Sequence, residues 1–252
     1  ILGIRVGVPL AGGLLGAVVL AAAATLPLAF AASRLRGDSF VVATLGYQAL
    51  VTSILENWVE LTGGPLGLTG IPRRIVGPWA ISTNIEFALV ALGLAALTVL
   101  VAARLSTGPF GRVLHCIRDD EAVALSLGKN VRRVKLEVLV VSGAMAGAAG
   151  SVYAGYATFV DPSSFTLNES IAVATMTIIG GQRTIWGPVL GAGALVLLPE
   201  LLRFSGIPHT VAASVNQAIF GGALVWIVLR RPQGLLGTPS LQAPGRVRPD
   251  GK

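Results

Sequence analysis

The sequence is poor in charged residues, in aromatic residues and in cysteine. Only 12% of its 252 residues are Asp, Glu, Lys or Arg, whereas soluble domains carry roughly 25%. Most of the surface of such a chain cannot face water, which excludes an ordinary soluble globular protein. The single cysteine, Cys116, excludes an intrachain disulfide bond. The net charge of +7 does not indicate nucleic-acid binding, because the basic residues lie between apolar runs rather than on one soluble face.

Apolar and small residues dominate instead. Hydrophobic residues make up 53% of the chain, glycine occurs 32 times and aromatic residues contribute only 6%. Small residues at this density favour close packing of helices in a lipid bilayer. A membrane-crossing helix needs about 20 apolar residues, and runs near that length recur along the chain. We therefore predict an all-α, polytopic bundle of transmembrane helices with six to seven spans. The runs lie at Val6–Ala32, Ser39–Trp58, Ile85–Ala103, Leu136–Phe159, Ile171–Ile179, Pro188–Leu202 and Val211–Leu229.

The fifth run is too short for a clear assignment. Ile171–Ile179 stops at Gly180 and Gly181, and the apolar pattern resumes at Pro188. It either crosses the bilayer with its polar flank, or it is half of a broken helix, which transporters tolerate where the break lines a cavity or is buried in protein. Gly180 and Gly181 are accordingly candidates for a gate, although a tight turn between two helices is the preferred interpretation.

The distribution of Arg and Lys predicts the orientation. If the loop Arg104–Lys135 is cytoplasmic and the fifth run crosses, most basic residues fall on the inside, as positive-inside orientation requires. This places the first residue outside, and we expect further spans upstream of it. Residues 1–237 are predicted to form one transmembrane domain. The Pro-, Gly- and Arg-rich residues 238–252 are predicted to be a disordered cytoplasmic tail.

The loop 104–135 holds the most informative pattern. The acidic residues Asp119 to Glu121 favour the start of a short helix, where they interact well with the helix dipole, and Gly128 is suited to end it. Val113, Ile117, Ala124 and Leu127 are expected to share one helical face. Such an amphipathic helix either docks into a groove of a soluble partner or lies, solvated, on the membrane surface.

Polar groups near the spans provide candidates for a translocation pathway or gate. Thr44 and Gln48 are spaced four residues apart and share a helical face, so they either line a polar pathway or make packing hydrogen bonds. The segment Thr62-Gly63-Gly64 contacts a binding protein, gates the channel, or serves only as a turn that needs glycine. Glu56 lies near the end of its span and is interpreted as an interfacial residue.

No catalytic or metal site is evident in the sequence. His115 and Cys116 are adjacent but His209 is far along the chain, so no metal-binding set forms, and no nucleophile–base pair is recognisable. The phosphate-binding pattern Gly-x4-Gly-Lys-Ser/Thr is absent. We therefore expect no enzyme activity and no cofactor bound by this chain.

Several motifs, taken in order, resemble one known family. The run Gly111-Arg followed by Ile117-Arg-Asp-Asp-Glu and Leu127-Gly is similar to the cytoplasmic loop of the LivM/LivH permeases of branched-chain amino acid ABC importers. The segments Arg34-Leu-Arg-Gly-Asp with Thr44-Leu-Gly, Thr62-Gly-Gly with Gly70-Ile-Pro, Ala146-Gly-Ala-Ala-Gly, Ile178-Ile-Gly-Gly and Arg231-Pro-Gln-Gly match other family motifs. The resemblance covers about Arg34 to Gly237, and the subtype resembles LivM.

The resemblance implies a function and a set of partners. The chain would be a multi-pass permease of the bacterial plasma (inner) membrane for leucine, isoleucine, valine or a related small polar solute. Its partners would be a LivH-like second permease, two cytoplasmic ATPase subunits that bind ATP and Mg, and an extracytoplasmic substrate-binding protein. The ATPase-coupling residues would be Gly111, Arg112, Ile117, Arg118, Asp119, Asp120, Glu121, Leu127 and Gly128.

Two other functions fit a polytopic membrane protein. A stand-alone secondary transporter or channel usually shows buried charges within its spans for ion coupling, and the spans here are almost free of charge. A structural membrane scaffold would leave the conspicuous central loop and the interrupted fifth run without a purpose. Copurification with an ATPase through the central loop distinguishes the importer from both.

Overall fold

The chain is described from a computed structural model. The structure describes residues 10–35, 37–71, 74–76, 79–80, 83–181, 184–204 and 222. The chain divides into two compact units, Ile1–Phe165 and Thr166–Lys252. Apart from residue 222, the predicted last span, Val211–Leu229, lies outside the described residues, as does the predicted boundary at residue 237.

The first unit consists mainly of helices. They are α1 (Leu10–Ala32), α2 (Asp38–Asn57), α3 (Val59–Thr62), α4 (Asn84–Thr107), α5 (Pro109–Asp119), α6 (Glu121–Ser126) and α7 (Val131–Ala157). Among the described residues, four helices are long and apolar enough to cross a bilayer: Gly12–Ala32, Asp38–Asn57, Asn84–Thr107 and Val131–Ala157. They match the first four predicted spans, which confirms a polytopic helical membrane protein.

The helix pair α1 and α7 forms the main contact of the first unit. A Cβ atom on Gly147 would lie 2.5 Å from both the carbonyl oxygen of Ala17 and the Cβ of Ala21, so only glycine allows this approach. A Cβ atom on Gly143 would likewise clash with the side chain of Thr25. Later residues of α7 thus face earlier residues of α1, which makes the two helices antiparallel. Close packing through small residues is how helices associate in a bilayer.

Each end of this antiparallel pair carries its own connections. At one end the Nε of Arg132 donates a hydrogen bond to the Ser33 hydroxyl, 3.2 Å. At the other end β1 (Leu68–Thr69) pairs antiparallel with β4 (Phe159–Val160), which follows α7. Separately, a short hairpin joins β2 (Arg74–Val76) and β3 (Trp79–Ala80). The Arg34 turn and the start of α7 therefore share one end of the unit, as the predicted alternation of inside and outside loops requires.

The second unit contains a helical hairpin. Helices α8 (Leu167–Gly180) and α9 (Trp186–Phe204) pack against each other, with Gly187 against Gly180 and Gly191 against the carbonyl of Met176. These pairings run in opposite directions, so the hairpin is antiparallel. The 14 residues of α8 measure roughly 21 Å at 1.5 Å per residue, less than the about 30 Å of a bilayer core.

Both predicted ends of the loop 104–135 differ from the structure, because hydropathy detects contact with lipid rather than the ends of helices. The predicted loop 104–135 is largely helical: α4 continues to Thr107 and α7 already begins at Val131. The start of α4 matches the prediction closely, since Thr83 and Glu86 form a reciprocal capping box. Polar caps of this kind, rather than apolar runs, set where α4 and α7 start.

Candidate functional site

The central loop is an ordered pair of short helices between α4 and α7. Helix α5 begins with Pro109, whose fixed φ suits the first helical position. A Cβ atom on Gly111 would lie 2.7 Å from the Leu105 carbonyl oxygen and still closer to the Ser106 carbonyl. Gly111 therefore allows α5 to fold back tightly against the end of α4.

Asp120 separates the two short helices. Its backbone is extended (φ −157°, ψ 112°), and its Oδ1 accepts hydrogen bonds from the backbone N–H groups of Ala122, 2.9 Å, and Val123, 3.3 Å. This is a helix N-cap. The predicted short helix is confirmed, but it begins at Glu121, and Asp119 is the last residue of α5.

The break at Asp120 corrects one prediction. Val113 and Ile117 lie on α5 and Ala124 lies on α6, so these residues do not share one helical face with Leu127. Leu127 itself follows α6 and is 63% exposed. The capping side chain of Asp120 interrupts the helix even though the apolar spacing continues across it.

Gly128 ends α6 as predicted. It adopts φ +70°, its N–H donates to the Leu125 carbonyl, 3.0 Å, and the Lys129 N–H donates to the Ala124 carbonyl, 3.1 Å. This pair of bonds is a Schellman motif, which satisfies carbonyls at the end of a helix. The Asn130 side chain then caps α7 by accepting from the Arg133 N–H, 3.0 Å.

Helix α6 is held against the start of α7 by a buried residue and an ion pair. Ala124 is fully buried. The Nζ of Lys135 lies 3.0 Å from the Oε2 of Glu121, with side chains only 25% and 27% exposed. Both residues line a cavity of about 360 Å³ together with Ala32, Leu35, Gly37, Phe40, Val138 and Leu139. The ion pair thus connects the candidate coupling loop to a membrane-crossing helix, beside a cavity that residues of the α1–α2 turn also line.

The opposite side of the loop is open. Val123 and Leu125 are each 48% exposed, and the basic residues Arg112 and Arg118 are exposed on α5. Arg118 pairs with the neighbouring Asp119, 3.3 Å. Ile117 is half-buried. The loop therefore presents a small apolar surface bordered by charges, on a backbone fixed by caps at Asp120, Gly128 and Asn130.

The predicted gate candidate Thr62–Gly64 is a compact turn at the end of α3. The Thr62 hydroxyl lies 2.6 Å from the Leu55 carbonyl and 2.9 Å from that of Trp58, and it accepts from the Gly64 N–H, 3.2 Å. Gly63 and Gly64 have φ of +76° and +59°, a region that favours glycine. The backbone geometry alone therefore requires glycine at both positions.

The pathway candidates Thr44 and Gln48 lie near the middle of α2. The Thr44 hydroxyl donates to the Val41 carbonyl, 2.7 Å, which satisfies it within its own helix. Both side chains are half-exposed, and no residue of α2 is buried. The third pair of candidates, Gly180 and Gly181, belongs to the second unit, where Gly181 ends α8 with φ +112°.

Two positions of the first unit gain importance only from the structure. Lys135 was recognisable in sequence as a basic loop residue, but its ion pair with Glu121 is not readable from spacing. Asp161 follows β4 and accepts hydrogen bonds from the hydroxyls of Ser163 and Ser164. These two bonds hold the pKa of the Asp161 carboxyl below its usual range, and the bond from Ser163 has the larger effect. The sequence Asp-Pro-Ser-Ser is a turn signal that indicates such bonding.

Comparisons with known proteins identify the family. A family model described as the permease component of the branched-chain amino acid transport system matches residues 2–229. The high-affinity branched-chain amino acid permease protein LivM of Escherichia coli is 35% identical, over 93% of this chain and 58% of the relative. A probable LivM of Methanocaldococcus jannaschii is 25% identical over 81% of this chain and 61% of the relative.

A further relative comes from a different import system. The autoinducer 2 import system permease protein LsrC of Salmonella typhimurium is 29% identical, over 74% of this chain and 54% of its own length. The chain thus spans a little more than half the length of most of these relatives, and no solved structure matches it. With its apolar helices and the match over most of its length, the chain belongs to the family of branched-chain amino acid transport permeases and is a multi-pass protein of the inner membrane.

Proposed function

We propose that this chain is the membrane-spanning permease subunit of an ATP-driven importer for branched-chain amino acids or a related small polar solute. The observation that carries the proposal is the family match over residues 2–229. The 35% identity to a LivM protein supports branched-chain amino acids as the first substrate class to test. The resemblance to LsrC makes autoinducer 2 the second.

The α5–α6 loop is the proposed docking site for a partner ATPase. A short helix with exposed apolar side chains fits a groove on a soluble protein, and Val123 and Leu127 supply such side chains. The capping bonds of Asp120 and the turn at Gly128 fix the loop as one piece. An element that transmits motion has to be rigid, and these bonds give it that rigidity.

The movement produced by closure of the ATPase pair is proposed to pass from α6 into the membrane through α7. The Glu121–Lys135 ion pair joins α6 to α7, and α7 packs on α1 through Gly143 and Gly147. Displacing α6 would then shift α7 and α1 together. This supports alternating access, in which closure of the ATPase pair switches the side to which the pathway opens.

The remaining partners follow from the same proposal. A second, LivH-like permease would complete the pathway, and ATP with Mg would bind to the ATPase subunits rather than to this chain. An extracytoplasmic binding protein would deliver the solute at the end that carries β1, β4 and the Thr62–Gly64 turn. The glycines there are required by the turn, so contact with the binding protein would involve its surface side chains, such as Leu66, which is 85% exposed.

The first test is uptake of labelled leucine into vesicles that contain the full-length protein with its neighbouring permease, ATPases and binding protein. We expect uptake that requires both ATP and the binding protein. Uptake of autoinducer 2 instead of leucine would keep the importer and replace the substrate. Uptake of either solute without ATP would overturn the proposal in favour of a stand-alone transporter.

A pair of variants tests the docking site separately. Leu127→Glu places a charge on the exposed apolar surface, and because Leu127 is 63% exposed the fold should tolerate it. We expect loss of ATPase copurification and of ATP-dependent uptake, with normal membrane insertion. Lys129→Ala, an exposed position just beyond the turn, is the control and should behave as wild type. Full uptake by the Leu127 variant would refute the docking assignment.

A further inference from the structure

Two arginines share a single phenylalanine ring where α1 ends and α7 begins. The guanidinium carbon of Arg34 lies 4.6 Å from the centre of the Phe30 ring, and that of Arg132 lies 4.9 Å from the same centre. Both distances are in the range of cation–π contacts. One ring therefore contacts two cations whose residues are far apart in sequence.

The position of this cluster is the boundary of the membrane. The apolar helix α1 ends at Ala32, just before Arg34, and Arg132 is the second residue of α7. Leu26 and Phe30 on the last turns of α1 are 46% and 47% exposed, so in a membrane-crossing helix their open surfaces are available to lipid. Guanidinium groups that follow such a surface lie at the depth of the lipid headgroups.

Within the described part of the chain, neither arginine has a carboxylate partner. The next residue, Arg133, pairs with Glu137 at 2.7 Å, and Lys135 pairs with Glu121. Arg132 instead donates to the Ser33 hydroxyl, whose own proton is donated to the Phe30 carbonyl, 2.6 Å. Two exposed cations without a counter-charge repel each other, and an anion between them would offset that repulsion.

We propose that Arg34 and Arg132 bind the phosphate of an anionic phospholipid headgroup, with Phe30 orienting both guanidinium groups. A guanidinium group presents paired N–H donors that match phosphate oxygens, and basic pockets between membrane helices bind lipid headgroups of this class. The acyl chains would lie along the exposed side chains of α1. The site does not depend on the transported solute, so it stands apart from the proposed function.

The test measures lipid retention by the full-length protein. The protein, purified in detergent, is exchanged into nanodiscs of phosphatidylcholine alone or with phosphatidylglycerol. Phosphatidylglycerol that remains bound after extraction is then counted by native mass spectrometry. We expect selective retention of phosphatidylglycerol by wild type. Arg34→Gln and Arg132→Gln should each weaken it about fivefold, since each basic residue near the surface contributes about 1 kcal/mol.

Matched variants keep the result interpretable. Arg133→Gln removes the same charge one position away. Because the Arg133 charge is already paired with Glu137 in an exposed ion pair, this variant should retain the lipid as wild type does. Phe30→Leu keeps both charges, removes the ring, and should weaken retention even if the arginine variants fail to fold. Equal retention by wild type and both single arginine variants would overturn the proposal.

Two further outcomes address other anions. Displacement of phosphatidylglycerol by millimolar inorganic phosphate would overturn the lipid assignment and indicate a site for free phosphate. Loss of ATPase copurification in the Arg34 and Arg132 variants, with lipid retention unchanged, would overturn it in favour of an acidic protein surface. Phosphatidylglycerol retention that is weakened in the arginine variants and unchanged by millimolar inorganic phosphate supports the lipid site.

Discussion

Helices α7 and α2 are both long enough to cross a membrane, yet they differ in how they are held. Helix α7 has four buried residues, Val131, Ala148, Val152 and Gly155, and it packs along α1. Helix α2 has none, and its Tyr47 hydroxyl reaches the Ala24 carbonyl of α1. The chain thus stabilises α7 by its own contacts and leaves the surface of α2 for lipid, a partner or the solute pathway.

The largest effect is expected where α7 meets α1. Gly147→Ala places a methyl group against the Ala17 carbonyl and the Ala21 side chain, 2.5 Å from each. Overpacking of this kind costs about 1–3 kcal/mol, so the melting temperature of the purified protein in nanodiscs should fall. The matched control is Gly150→Ala, one turn further along α7, where nothing lies within 4 Å. Equal losses in the two variants would contradict the close α1–α7 contact.

A smaller effect is expected where α6 is fixed beside α7. Asp120→Ala removes the N-cap of α6, which costs about 1 kcal/mol. The helix loosens, so transported solute per ATP hydrolysed should fall while hydrolysis persists. Asp120→Asn keeps a capping oxygen and should preserve coupling. If the asparagine variant is as impaired as the alanine variant, the charge of Asp120 matters rather than its cap.

The smallest effect on stability is expected on α2. Gln48→Leu changes a half-exposed side chain on a helix without buried residues. The free energy of unfolding should therefore stay within about 0.5 kcal/mol of wild type, and the melting temperature should stay close to that of wild type. If Gln48 lines the pathway, leucine uptake at saturating ATP should nevertheless decrease. Val42→Leu, at a 68% exposed position of the same helix, is the control for uptake. Unchanged uptake by the Gln48 variant would remove this face of α2 from the pathway.

The sequence predicted the first four spans well because hydropathy measures the property that the bilayer selects. It predicted the C-terminal stop at Gly128 for a similar reason, since the left-handed conformation is a local property of one residue. It placed the start of α7 several residues too late, because Asn130 caps the helix through a side-chain bond and the first turn is basic rather than apolar.

Other features depend on residues distant in sequence and have no one-dimensional signal. The Glu121–Lys135 pair and the sharing of Phe30 by Arg34 and Arg132 arise only when helices meet. The helix break at Asp120 is an intermediate case. The apolar spacing predicts one continuous face, whereas an aspartate followed by a helix-forming segment is an N-cap signal that competes with it.

The pairing of β1 with β4 has a consequence for the order of assembly. Leu68 and Thr69 leave the ribosome before helices α4 to α7, but their partners Val160 and Phe159 follow α7. The pairing can therefore form only after those helices have been synthesised and α7 has crossed the bilayer. Until then Leu68 and Thr69 have no strand partner, so closure of this small strand pair is a late step in the folding of the first unit.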